Sequence, residues 1–112
     1  MKLVTAFVHH VRAATVVQAL ADAGFRNISS QTVTGMLKPL SENEQAYSVD
    51  AGGLVISEVC LSLVCEDGEV DTVTTLIRWV ARIGTQMSGW VYVSPIEQAL
   101  PIGGDVVNEP AA

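Results

Sequence analysis

At 112 residues the chain has room for one domain around one hydrophobic core and not for two. Hydrophobic residues make up 49%, yet no uncharged apolar run approaches the ~20 residues of a membrane-spanning helix, and the short apolar start before His9 and His10 is no secretion signal, so the expected compartment is the cytoplasm. A net charge of -6, with six scattered basic residues, makes nucleic acid and anionic membranes poor partners, and a charged fraction of only 16% implies that much of the surface is buried in an oligomer.

Leu3 to Val8 is a short apolar run that reads as a buried strand bounded by the histidine pair. From Val11 to Ala23, Val16, Val17 and Leu20 recur at helical spacing among alanines, and Gly24 stands where a helix terminates. Asn27 to Thr34 is rich in β-branched and hydroxyl residues and predicts a second strand ending at Gly35. Met36 to Gly53 follows neither period and carries Pro39, several acids and the Gly52-Gly53 pair; so long a polar loop in so small a domain points to function or disorder.

Leu54 to Cys65 alternates as a third strand, with Val59, Leu61, Leu63 and Cys65 on one face and Cys60, Ser62 and Val64 on the other, both faces at least half buried. The two cysteines therefore point apart and do not pair with each other. Glu66, Asp67 and Glu69 place acids at a helix start, and Val70, Val73, Leu76, Ile77, Val80 and Ile83 form its apolar stripe, with Arg78 and Arg82 in the last two turns. Gly84 to Gly89 is a second loop, and Trp90 to Val93 the fourth strand before Ser94-Pro95. The order βαββαβ predicts an α+β, ferredoxin-like sandwich with one antiparallel four-stranded sheet and two helices on one face.

The segment Gly89-Trp90-Val91-Tyr92-Val93-Ser94-Pro95-Ile96-Glu97-Gln98-Ala99-Leu100 resembles the C-terminal signature of the PII family of signalling proteins. The opening Met1-Lys2-Leu3-Val4-Thr5-Ala6, the helix positions Val16, Ala19, Leu20 and Gly24, and Val33 with Gly35 are similar to that family too. The resemblance covers residues 1–102 as one domain, with 36–55 in the place of the family's T loop and 103–112 as a flexible tail. It implies a homotrimer with a ligand cleft between subunits; the residues themselves show no acid/base or nucleophile constellation, so no enzyme activity is expected. The resemblance also implies regulation of a membrane transporter or other partner protein through the long loop, whose Lys38, Glu42, Glu44, Tyr47 and Asp50 are the docking candidates.

The ligand set implied by the same resemblance is Ser29, Gly35, Lys38, Val64, Gly84, Gly89 and Trp90. Departures from the family pattern redefine the ligand. Glu58, Trp90, Pro101 and Gly103 stand where phosphate-binding lysine or arginine is expected, Pro39 replaces a metal-bridging residue, and Ala51 the modifiable tyrosine. Burying a triphosphate of about four charges beside Glu58 without cations is costly, so the expected effector is AMP, ADP or a small anion such as bicarbonate, not ATP with 2-oxoglutarate. Two other readings remain open: a metal-responsive protein using His9, His10 or Cys60, although adjacent strand histidines point to opposite faces and need a further ligand, and a trimeric scaffold without an effector.

Overall fold

In a computed structural model of the chain, residues 1–36 and 55–104 are described; residues 37–54 and 105–112 lie outside the described residues. Strand β1 (Lys2–His9) leads into helix α1 (His10–Asp22), followed by strands β2 (Ile28–Met36) and β3 (Val55–Cys65). A 3-10 turn (Asp67–Glu69) opens helix α2 (Val70–Val80), and strand β4 (Gly89–Pro95) closes the fold. The sheet order is β2-β3-β1-β4 with every neighbouring pair antiparallel, which is the ferredoxin-like arrangement expected from the order of elements.

The period-2 alternation decides which residues meet the helices. Val4, Ala6 and Val8 on β1 lie beside Leu63, Leu61 and Val59 on β3, and α1 and α2 cover this face with Val16, Leu20, Val73 and Ile77. All of these except the partly buried Val59 are core residues. Arg12 ties the helices together, donating from Nε and Nη2 to the Val80 carbonyl at 3.0 and 2.7 Å and so satisfying a carbonyl that the end of α2 leaves open.

Helix ends follow local chemistry. Gly24 adopts φ +98°; its N–H donates to the Ala21 carbonyl and the Phe25 N–H to the Leu20 carbonyl, the paired bonds of a Schellman ending with Phe25 packed on the core. Before α2, the Glu66 N–H donates to Glu69 Oε1 at 2.9 Å in a capping box.

Several boundaries differ from the sequence reading. The chain leaves the sheet at His9, which caps α1 by accepting the Val11 N–H on Nδ1 at 3.3 Å, so His10 already belongs to the helix. The two imidazoles consequently stack at 4.5 Å between centroids and 30° between planes; the expectation of opposite faces fails because the strand ends between them. Helix α2 stops at Val80, so Arg82 follows the helix and Ile83 bridges Gln86 instead of extending the stripe. Met36 and Val55 are strand ends, and the remainder of the expected 36–55 loop, with its docking candidates, falls outside the described residues, as does the expected tail from residue 105. The expectation that both faces of β3 are at least half buried holds, but unequally: Leu61, Leu63 and Cys65 are buried under the helices, whereas on the opposite face Cys60 and Ser62 are only partly buried and Val64 is 50% exposed.

Leu20→Ala should cost about 2–5 kcal/mol by emptying the helix–sheet layer, and Gly24→Ala about 1–2 kcal/mol through its left-handed backbone; urea titrations of both variants measure this. Burial pushes the Cys65 thiol above its ordinary range, with the Glu69 carboxylate adding to the effect. Because the folded state holds this proton more tightly than the unfolded chain, the contribution is full below the ordinary thiol range and is lost as pH rises through the raised folded value. Cys65→Val should accordingly flatten the alkaline limb of a stability-versus-pH curve.

Candidate functional site

The two faces of the sheet differ in kind. Away from the helices, Phe7, Trp90, Tyr92, Leu3, Val64 and Cys60 occupy the alternate positions of β1, β4 and β3. Trp90 is 57% and Tyr92 53% exposed. Phe7 meets Tyr92 edge-on at 6.1 Å and 79°, and Trp90 stacks along Tyr92 at 6.4 Å and 19°. Among the described strand residues this face carries aromatic, aliphatic and small polar side chains, with Glu58 the one acid or base at its loop-side end, a composition suited to contact with another protein surface.

At the end of the sheet where β1 stops and β4 starts, Gly89 pairs with Val8 and Trp90 with Phe7. A Cβ at Gly89 would collide with the Phe7 carbonyl oxygen, so this glycine is required by the close approach of two backbones. Just before it, Gly84 takes φ +61° in the turn bridged by Ile83 and Gln86. Ser88 fixes that turn: its hydroxyl accepts the Ile83 N–H at 2.8 Å and lies 3.1 Å from the Ile83 carbonyl. Gly35, opposite Ile56, marks the same end of β2.

Ser29 and Val64 lie elsewhere. Ser29 pairs with Ser62 in the row of Thr5 and Tyr92, and Val64 pairs with Leu3 near the opposite end. Along β2, Ser29 and Gly35 are six residues apart, or roughly 20 Å at strand rise. One chain therefore gathers Gly35, Gly84, Gly89 and Trp90 at one end and leaves Ser29 and Val64 apart from them; Lys38 lies outside the described residues.

A sequence profile described as "Nitrogen regulatory protein P-II" matches residues 1–104. The chain belongs to the P-II family. Its relatives include a nitrogen regulatory protein P-II of Microchaete diplosiphon, 28% identical over 102 residues and covering 91% of each chain. A "nifHD region glnB-like protein 1" of Methanococcus maripaludis is 30% identical over 103 residues, covering 91% of this chain and 93% of its own. A third, a P-II protein of Porphyra purpurea, is 24% identical over 115 residues, covering 99% of both. Family membership makes this a small regulatory signalling protein.

Seen as a P-II chain, it holds Glu58 in the strand pair between His9 and Val33, with Trp90 two strands away at the start of β4. Pro101 and Gly103 are exposed beyond β4. For metal binding, His9 and His10 are in ring contact, while Cys60 sits opposite Phe7; among the described residues no three His, Cys, Asp or Glu side chains gather to hold an ion. Among the described residues, no helix is long and apolar enough to cross a membrane.

The fold also assembles a feature that the sequence reading did not assign. Arg78 and Arg82, placed in the sequence only as partners of the helix dipole, line a cleft of about 610 Å³ between α2, the loop before β4 and β4 itself. Their i, i+4 spacing was the available signal, but the facing strand was not predictable from it.

Gly89→Ala should destabilise the protein by about 1–3 kcal/mol, since the β1–β4 backbones must separate to admit the methyl group; a urea midpoint unchanged from wild type would contradict the close approach.

Proposed function

We propose that this P-II protein is a homotrimer that binds its effector between subunits and regulates a membrane transporter or another protein partner through residues 36–55, without enzyme activity of its own. Residues 1–102 form the working domain, and the compartment is the cytoplasm. The observation that carries this reading is the division of the ligand set. Gly35, Gly84, Gly89 and Trp90 lie at one end of the sheet and Ser29 and Val64 toward the other, so a ligand touching all of them needs two chains side by side. The open aromatic face, with Trp90 and Tyr92 more than half exposed, supplies the apolar surface such an assembly would bury.

The effector is AMP or ADP, a small anion such as bicarbonate, or both. Glu58 and Trp90 occupy positions where this family's phosphate clamp would hold cations, and Pro101 and Gly103 carry none either. Each added phosphate therefore brings more charge than the site neutralises. Trp90 offers instead a stacking surface for an adenine ring.

Sedimentation equilibrium should give three times the monomer mass. Calorimetry should give AMP or ADP an affinity at least about tenfold above that of ATP, and Trp90→Lys should narrow that gap by about tenfold, as expected of one new charge-assisted contact. A monomer in solution would overturn the intersubunit site. Failure of AMP, ADP, cyclic AMP, ATP and bicarbonate alike to bind would leave a scaffold role in its place.

A further inference from the structure

The cleft between α2 and β4 has two unlike walls. Ile77 and Ala81 from the helix side and Val91 and Val93 from the edge strand give it an apolar lining, and Arg78 and Arg82 line it as well. Among the described residues neither arginine makes an ion pair with a carboxylate, in a chain where twelve acids outnumber six bases. The helix dipole accounts for positive charge at this end of α2. It does not account for two arginines lining one partly apolar cleft at i, i+4 spacing, an arrangement that like charges disfavour.

Arg82 is also held in place. Its Cζ lies 3.5 Å from the centre of the Trp79 ring, and Nη1 donates to the Trp79 carbonyl. Stacking and this bond fix the guanidinium plane and leave its remaining N–H groups for a further acceptor, a pre-organisation that lowers the entropy lost on binding.

The chemistry of the cleft selects among anions. A phosphate monoester brings nearly two charges and three oxygens, and the loop offers it little, because the Ile83 N–H is already bound to the Ser88 hydroxyl at 2.8 Å. A carboxylate has two oxygens for two guanidinium forks, and an aliphatic body suits the apolar lining. The volume of about 610 Å³ falls within the ordinary range of small-molecule sites, roughly 300–1,000 Å³.

We propose that the α2–β4 cleft binds an aliphatic carboxylate, its head between Arg78 and Arg82 and its chain along Ile77, Val91 and Val93. The site stands apart from the intersubunit effector set except where Gly89 and Trp90 border both. A ligand here would touch the loop that positions Gly84 and Gly89, giving the protein a second input.

The test uses the full chain in its native assembly, with octanoate as probe and octanol and octyl phosphate as comparisons. Of the two tryptophans of the chain, Trp90 lines the cleft and Trp79 stacks on Arg82, so intrinsic fluorescence reports occupancy alongside calorimetry. Octanoate should bind saturably, and octanol at least about tenfold more weakly. Arg78→Gln and Arg82→Gln should each weaken octanoate by about tenfold or more, the loss of one charge-assisted hydrogen-bonding group, with melting temperature and AMP affinity unchanged. Equal binding of octanol, equal octanoate affinity in both variants, or no saturable binding because a neighbouring subunit fills the cleft would overturn the proposal. Preference for octyl phosphate would overturn the assignment of the head group.

Discussion

Strand β1 is hydrogen-bonded on both sides, to β3 from Lys2 through His9 and to β4 from Lys2 through Val8, and this double pairing sets the register of the whole sheet. Its even positions after Lys2 are fully committed to the core: Val4 and Ala6 have no exposure and Val8 almost none. A slip of one residue would turn all three to the open face and bring Leu3, Thr5 and Phe7 under the helices, so burial on one face enforces register on both. The close contact of Gly89 with the Phe7 carbonyl is one consequence, and the placement of Trp90 beside Phe7 another.

From that register come two surfaces with different chemistry. The open face carries the Phe7, Tyr92 and Trp90 rings and suits an extended protein contact, in keeping with a chain that has few charges to spread over its surface. The helix side ends in a cleft at the β4 edge lined by two arginines together with aliphatic side chains. The short loop from Ile83 to Ser88, which Ser88 holds in shape, leads from the helix side into the edge strand that borders both surfaces.

Glu58, Trp90, Pro101 and Gly103, where the family resemblance led to an expectation of cations, all lie outside the core, so what stands there does not bear on the packing of the P-II scaffold. Val4, Ala6, Leu61, Leu63, Val16, Leu20, Val73 and Ile77 carry the packing and are independent of what the effector site presents. Fold and ligand preference can diverge separately for this reason, and the fold alone does not specify the ligand.

The strand alternation, the helical stripes and Gly24 were enough to give the order of elements, the helix-facing residues and the sandwich, because local periodicity and a left-handed glycine act over a few neighbours. The family signature from Gly89 to Leu100 was legible for the same reason, as a contiguous run. The stacked histidines, the early end of α2 and the separation of Ser29 and Val64 from the glycine end of the site were settled by tertiary structure: each depends on where a strand stops or which strand lies opposite. Arg78 and Arg82 make the same point most clearly. Sequence places them four residues apart near a helix terminus; only the packing of α2 against an edge strand brings them into one cleft with the apolar side chains of β4.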